Sequence, residues 1–328
     1  MKKLDPLMSL FTSVRATVEE PMSKHTKILV TGAKGFLGKK VCRELRDSGY
    51  ENICELEGSK VCDLRNTHEA QSILLIEQPD IIIHLAARVG GIGENQKYPG
   101  AFFYDNMAMG MNLIEASRKL GIEKFILVST VCAYPKHTRV PFNEEDLWNG
   151  YPEETNAPYG IAKKALTEMM NAYRKQYDFN GITLIPVNMY GPDFGEDTHV
   201  IPDLIRKFDH AYRTGDPVEV WGDGSPTREF LYVDDCARAI VLAMEKYNKP
   251  DPVNIGTGHE ISIKEVVGLL HRHYADHNNL IDVVWDDSKP NGQPRRCLDI
   301  NKAWEEFGFL ACMPFQEGLG RTIGSYYG

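Results

Sequence analysis

Thr31-Gly-Ala-Lys-Gly-Phe-Leu-Gly38 places three glycines at intervals of three between the apolar run Lys27-Ile-Leu-Val-Thr31 and a stretch of helical periodicity, Phe36–Ser48. Each glycine answers a separate physical need. Gly32 permits a tight turn, Gly35 lets backbone N–H groups approach a pyrophosphate, and Gly38 lets helix and strand pack closely. The helix N-terminus adds partial positive charge where phosphates would sit. The helix shows Leu37, Val41, Cys42 and Leu45 on one face and closes at Gly49.

Outward from this turn the chain alternates. Strands are predicted near Asn52–Leu56, Asp80–Leu85 and Lys124–Thr130, with helices over Thr67–Glu77 and Asn106–Leu120. Short apolar runs alternating with helical patterns predict an α/β fold, a doubly wound parallel (Rossmann) sheet that binds ligands at the carboxyl ends of its strands. After Tyr190 the pattern loosens: Val218–Gly224 is strand-like and Asp251–Lys289 mixes short elements with loops. We therefore expect a dinucleotide-binding domain over residues 25–185 and a smaller α/β substrate-binding cap over 186–328, interleaved with the first. Residues 1–24 read as an amino-terminal extension. A basic start and Leu7–Phe11 imitate a signal peptide, but Ser9, Thr12, Ser13 and Arg15 interrupt the apolar stretch.

Composition excludes several classes of protein. The net charge is -9 and no long Lys/Arg run offsets it, which argues against a nucleic-acid partner. The longest apolar runs, such as Ile81–Ile83, are far too short to cross a membrane. Cys42, Cys54, Cys62, Cys132, Cys236, Cys297 and Cys312 are scattered, odd in number and without CxxC spacing. Reduced thiols in a cytoplasmic protein without a structural metal are expected from this pattern.

The choice of nicotinamide cofactor rests on a few side chains. Lys34 in the glycine turn, with Ser59 and Lys60 after the second strand, favours the 2′-phosphate of NADP(H). Glu57 at the tip of that strand is placed to accept from ribose hydroxyls, so NAD(H) is not excluded. Further along, Tyr159-Gly-Ile-Ala-Lys163 sets a phenol and an ammonium on one helix face. The lysine charge is expected to lower the tyrosine pKa and make Tyr159 an acid/base near neutral pH.

With the glycine turn and the strand ending Val128-Ser-Thr-Val-Cys132, this motif resembles the short-chain dehydrogenase/reductase superfamily. Within its extended branch the chain is similar to the GDP-L-fucose synthase family. The likeness is carried by His84-Leu-Ala-Ala-Arg-Val-Gly-Gly91, Ser129-Thr-Val-Cys-Ala-Tyr-Pro135, Asn156-Ala-Pro-Tyr-Gly-Ile-Ala-Lys163 and Pro186-Val-Asn-Met-Tyr-Gly-Pro192. It continues through Thr198–Pro202, Trp221–Phe230 and Lys289–Arg296, over about residues 25–325. One departure is that the family usually has Ser-Ser/Thr-Cys before the apolar-Tyr-Pro, whereas here the hydroxyl two residues before Cys132 belongs to Thr130; threonine keeps the hydrogen-bond donor. Another is the segment between Pro192 and His199, which is shorter than the family's usual loop.

The resemblance implies NADPH-dependent 3,5-epimerisation and 4-reduction of a GDP-4-keto-6-deoxymannose. It makes Cys132 the base, His199 the opposing acid, Tyr159 the proton donor for reduction, and Thr130 and Lys163 its supports. It implies cofactor contacts at Gly32, Lys34, Gly35, Phe36, Leu37, Gly38, Ser59, Lys60, Asp63, Leu64, Ala86, Ala87, Val128, Ser129, Pro186, Asn188 and Met189, as well as at Tyr159, Lys163 and His199. The GDP-sugar would be held by Lys207, Trp221, Arg228, Asp286 and Lys289, and a homodimer is expected from the superfamily. Related GDP-4-keto-sugar enzymes of the colitose or deoxyheptose type share the motifs. A non-catalytic NADP(H)-binding sensor would have lost Tyr159 or Lys163, and both are present.

Overall fold

Within the apolar runs, alternate residues enter different cores, as the two-residue repeat of a strand requires. Ile28, Val30, Ile81, Ile83, Ile126 and Val128 pack on one side of a sheet. Leu29, Ile82, Phe125 and Leu127 pack on the other. Burial on both faces explains why these runs are continuously apolar. The computed structural model describes residues 22–194, 199–274, 281–289 and 291–326. Most of the expected amino-terminal extension and the segment 195–198 lie outside the described residues.

The first part of the chain runs β1 (Ile28–Thr31), α1 (Phe36–Asp47), β2 (Ile53–Glu55), α2 (Thr67–Glu77), β3 (Ile81–His84), α3 (Ile92–Lys97), α4 (Pro99–Leu120), β4 (Lys124–Val128), α5 (Ala157–Tyr177) and β5 (Gly181–Pro186). The second part continues with β6 (Asn188–Tyr190), α6 (Val200–Thr214), β7 (Val218–Trp221), β8 (Thr227–Tyr232), α7 (Val233–Lys246), β9 (Val253–Ile255), β10 (Glu260–Ser262), α8 (Ile263–Tyr274), β11 (Val283–Asp286), α9 (Asn301–Phe307) and α10 (Phe315–Gly324).

The main sheet is six-stranded, in the order β2-β1-β3-β4-β5-β9, and every pairing in it is parallel. Its order reverses at β1, so a crevice opens at the carboxyl ends of β1 and β3. The smaller part holds the sheet β10-β8-β6 and the pair β11-β7, around a separate core of α6, α8 and α10 residues such as Ile205, Phe208, Leu270 and Leu319. The chain passes between the two parts repeatedly, because α7 packs against α1 and β9 completes the main sheet. At the described start of the chain, Met22 packs against the main core and Lys24 pairs with Glu245 at 2.9 Å.

The largest boundary difference from the sequence reading is at α4. The helix expected over Asn106–Leu120 begins at Pro99. Tyr98-Pro99-Gly100 reads as a breaker, yet proline at the first helical position loses no hydrogen bond and has the right φ. Asp105 and Asn106 are buried on this helix, held by Arg88.

Candidate active site

The glycine turn is built as its spacing requires. Gly32 has φ +68, and a Cβ there would come within 2.9 Å of the Ala86 nitrogen on the β3 side. A Cβ on Gly38 would lie 2.1 Å from the Gly32 carbonyl oxygen, so the strand–helix approach tolerates no side chain. Gly35 caps α1 without any side-chain hydrogen bond, and the first helical turn carries no acidic residue. These backbone donors form a cradle suited to a pyrophosphate.

Beside the turn, Thr31 Oγ1 accepts from the backbone N–H groups of Leu85 and Ala86 at 3.1 Å each and lies 2.9 Å from His84 Nδ1. Burial and the nearby Lys163 ammonium push His84 down to about 3, so the imidazole is neutral and structural.

A cleft of about 1070 Å³ runs from this turn across the strand ends to the smaller sheets. It brings together Gly32, Lys34, Gly35, Phe36, Leu37, Gly38, Ser59, Ala86, Ala87, Val128, Ser129, Pro186, Asn188 and Met189. Thr130, Cys132, Tyr159 and Lys163 line its centre, and His199, Lys207, Trp221 and Arg228 line the far side. A smaller cavity of about 220 Å³ adjoins it, lined by Ser59, Asp63, Leu64 and two arginines the sequence reading did not single out, Arg65 and Arg88. Arg65 pairs with Asp63 at 2.8 Å and with Asp105 at 3.2 Å, and Arg88 pairs with Asp105 at 3.0 Å.

Two expected contacts lie elsewhere, and a third only borders the cleft. Lys60 is exposed beyond the tip of β2 and lines neither cavity. Asp286 turns back onto its own loop, accepting from the Ser288 backbone N–H at 3.0 Å and hydroxyl at 2.5 Å. Lys289 sits over the Trp221 ring, 5.5 Å from its centre, at the margin of the cleft. Lys34 lines the cleft but its ammonium is tied to Glu55 at 2.8 Å.

Two features of α5 position the phenol and the ammonium. They lie one turn apart on its first buried turns, and Gly160 lets the helix press against the Cys132 carbonyl, where a Cβ would come within 2.2 Å. Lys163 Nζ donates to the Val128 carbonyl at 2.9 Å, which anchors it under β4. Burial lowers Lys163 to about 8.

The expected lowering of Tyr159 is reversed in this pocket. Burial pushes the phenol above its ordinary range, the Cys132 thiol adds to this, and a hydrogen bond from Thr130 only partly offsets it. The physical reason is that the phenol is enclosed, so desolvation of the phenolate is the largest effect on it. A protonated phenol is the form a proton donor needs.

Arg228 lies under the far wall with its guanidinium on backbone carbonyls, at 2.7 Å from that of Thr227, 2.6 Å from Gln293 and 3.3 Å from Asn291. Burial, with repulsion from Arg296, lowers it to about 9. Arg296 itself was missed as a site residue. It closes the Lys289–Arg296 motif and lines the cleft, donating to Asn188 Oδ1 at 3.2 Å and towards Cys132 Sγ at 3.7 Å. Among the described residues no cluster of His, Cys, Asp and Glu is arranged to hold a metal, and no helix is long and apolar enough to cross a membrane.

A parallel sheet with a glycine-rich β1–α1 turn, and a Tyr-x-x-x-Lys helix facing a hydroxyl at the end of β4, define the extended short-chain dehydrogenase/reductase class. The model of the NAD dependent epimerase/dehydratase family matches residues 28–256, and the chain belongs to that family. Curated relatives include a GDP-L-fucose synthase from Sinorhizobium fredii, 40% identical over 92% of this chain and 95% of its own. A probable GDP-L-fucose synthase 1 from Oryza sativa subsp. japonica is 36% identical over 92% of both chains. Among solved structures, a GDP-mannoheptose C4 reductase from Campylobacter jejuni with NADP bound superposes with a TM-score of 0.84 at 27% identity, covering 94% of this chain and all of the other.

Proposed function

We propose that this protein converts GDP-4-keto-6-deoxy-D-mannose to GDP-L-fucose by 3,5-epimerisation followed by NADPH-dependent 4-reduction. One observation carries the reading: Thr130, Tyr159 and Lys163 share a single cleft with the Cys132 thiol and the His199 imidazole. A simple reductase needs only the first three. A thiol and an imidazole beside them suit proton exchange at the carbons flanking a ketone.

In this mechanism Cys132 thiolate removes the proton from C3 or C5. An S–H bond forms, the C–H bond breaks, and its electron pair moves onto the C4 oxygen as an enolate. Thr130 and Tyr159 hydrogen-bond that oxygen. His199 returns a proton to the opposite face, the C=C electrons form the new C–H bond, and the ketone is restored. A nicotinamide held in this cleft would supply the hydride for C4. Tyr159 gives its phenolic proton to the C4 oxygen, and Lys163 stabilises the phenolate left behind.

The residues present fit such a cofactor. Gly32, Gly35 and the uncapped start of α1 would hold its pyrophosphate. Ser59, with Arg65 and Arg88 on the adjoining cavity, supports a 2′-phosphate and hence NADPH over NADH. On the far wall Lys207, with Lys289 at the margin, supplies charge for the sugar diphosphate, and Trp221 offers a stacking face. Asp286 has no part in this reading. All seven cysteines are free, which supports a reducing, cytoplasmic setting. Exposed Phe103, Tyr104 and Met111 on α4 support a homodimer.

The test is to incubate the protein with GDP-4-keto-6-deoxy-D-mannose and NADPH and identify the product by NMR. GDP-L-fucose is expected. A product unchanged at C3 and C5, or no NADPH oxidation, overturns the reading. The second reading, 4-reduction of a GDP-linked heptose, is favoured by the likeness to the Campylobacter jejuni reductase. It predicts turnover of the keto-heptose in the same assay in place of the deoxyhexose.

A further inference from the structure

Cysteine is a poor base unless something favours its thiolate, and six of the seven here are kept as thiols. Burial pushes Cys42 and Cys54 up to about 11 and Cys236 and Cys297 up to about 12. Cys62 is raised by burial and Cys312 chiefly by its hydrogen bond to Asp235. Cys132 has different company. The Arg296 Nη1 group points at its sulfur from 3.7 Å and is braced by Asn188 Oδ1 at 3.2 Å, while Arg296 Nε donates to Gln293 Oε1 at 3.2 Å. Gln293 is anchored in turn on the Lys136 carbonyl at 2.9 Å. Arg296 is only 6% exposed, and among the described residues no carboxylate pairs with it.

We propose that Arg296 is the counter-charge that holds Cys132 as a thiolate in the free enzyme, a positioning residue for proton abstraction and not for reduction. This rests on the reading of Cys132 as the epimerisation base. A guanidinium suits the task because it stays charged throughout the working pH range and its planar fork fixes direction as well as charge. Arg228 is the other cation acting on Cys132, but its donors are spent on backbone carbonyls. The remaining charged or titratable groups about the thiol are Tyr159 on α5, Glu153 acting through Arg228, and Lys163 and His199 along the same cleft. None of these is a cation in hydrogen-bonding contact with Sγ among the described contacts.

The experiment is the pH profile of iodoacetamide alkylation at Cys132, read by mass spectrometry of its peptide. It is run on the full chain as wild type, Arg296→Gln and Arg296→Lys, alongside solvent deuterium uptake at C3 and C5 of the keto-sugar. The wild-type profile should reach half its plateau about one to three pH units below that of Arg296→Gln, so the variant is alkylated at least about ten-fold more slowly at pH 7. Arg296→Lys should recover most of the difference, and deuterium uptake should fall in step with alkylation.

Superimposable profiles in wild type and a folded Arg296→Gln, judged by circular dichroism, overturn the proposal. So does a wild-type midpoint at or above about 8.5, the free thiol value, which requires no variant to fold. A raised KM with an unchanged alkylation profile makes Arg296 a substrate ligand and overturns it too. A shifted alkylation profile with undiminished deuterium uptake upholds the charge pairing but overturns Cys132 as the base, and with it the reading of the function.

Discussion

At the scale of single residues, burial keeps the Tyr159 phenol protonated and brings the Lys163 ammonium, one helical turn away, closer to neutrality. Tyr159→Phe removes only the donor, so NADPH affinity should stay near wild type while reduction falls at least about 100-fold, measured as single-turnover NADPH oxidation. In the proposed mechanism Lys163 acts through its charge, and burial has brought its pKa down to about 8. The sign follows directly: the ammonium is present below that value and is lost as pH rises through it. Reduction should therefore decline above about pH 8, well before an ordinary lysine near 10.4 would titrate. A flat pH–rate profile to pH 10 would remove Lys163 from the proton-transfer path. These two residues were legible because they sit four apart on one helix. Arg296 was not, since its partner Cys132 lies 164 positions away and nothing local marks the meeting. The direction of the Tyr159 shift was also out of reach, because it depends on enclosure by distant elements such as Phe102, whose ring stands edge-on 6.4 Å away.

At the scale of elements, α5 is the part whose placement the chemistry depends on most. Gly160 lets it rest against the Cys132 carbonyl, which sets the phenol, the thiol and the Thr130 hydroxyl on one wall. Gly160→Ala should push the helix off that loop. We expect kcat to fall by roughly 100-fold, as misplacement by about an ångström does. The proportion of folded protein at 25 °C should hardly change, and circular dichroism with steady-state kinetics reads both. Wild-type kcat in this variant would mean that the contact is not positional. The strands β1, β3 and β4 were readable in the sequence because burial on both faces leaves unbroken apolar runs. The start of α4 was not, because Pro99 and Gly100 look like a break when their place in a first helical turn is unknown. The three residues of β9 pair with β5 far upstream, and so short a strand has no pattern of its own.

Across the whole molecule, Glu229 links the two parts. It lies in β8, fully buried, and accepts backbone hydrogen bonds from Thr257, from Gly258 at 2.8 Å and from Leu298 at 2.7 Å. Glu229→Gln places an amide against N–H groups that need an acceptor. It should destabilise the protein by about 2–4 kcal/mol, read from urea unfolding, and a loss under 0.5 kcal/mol would contradict the role assigned to it. The interleaving that Glu229 secures also has a consequence in time. A chain made from its amino end exposes Tyr159 and the glycine turn early, yet β9 can close the main sheet only once residue 255 has emerged. Arg296 arrives later still. On the pairing proposed above, Cys132 lacks the Arg296 guanidinium until that last segment docks. If that pairing sets the thiol's reactivity, the reactivity is acquired at the end of folding, and a chain cut short before residue 296 would be born without it.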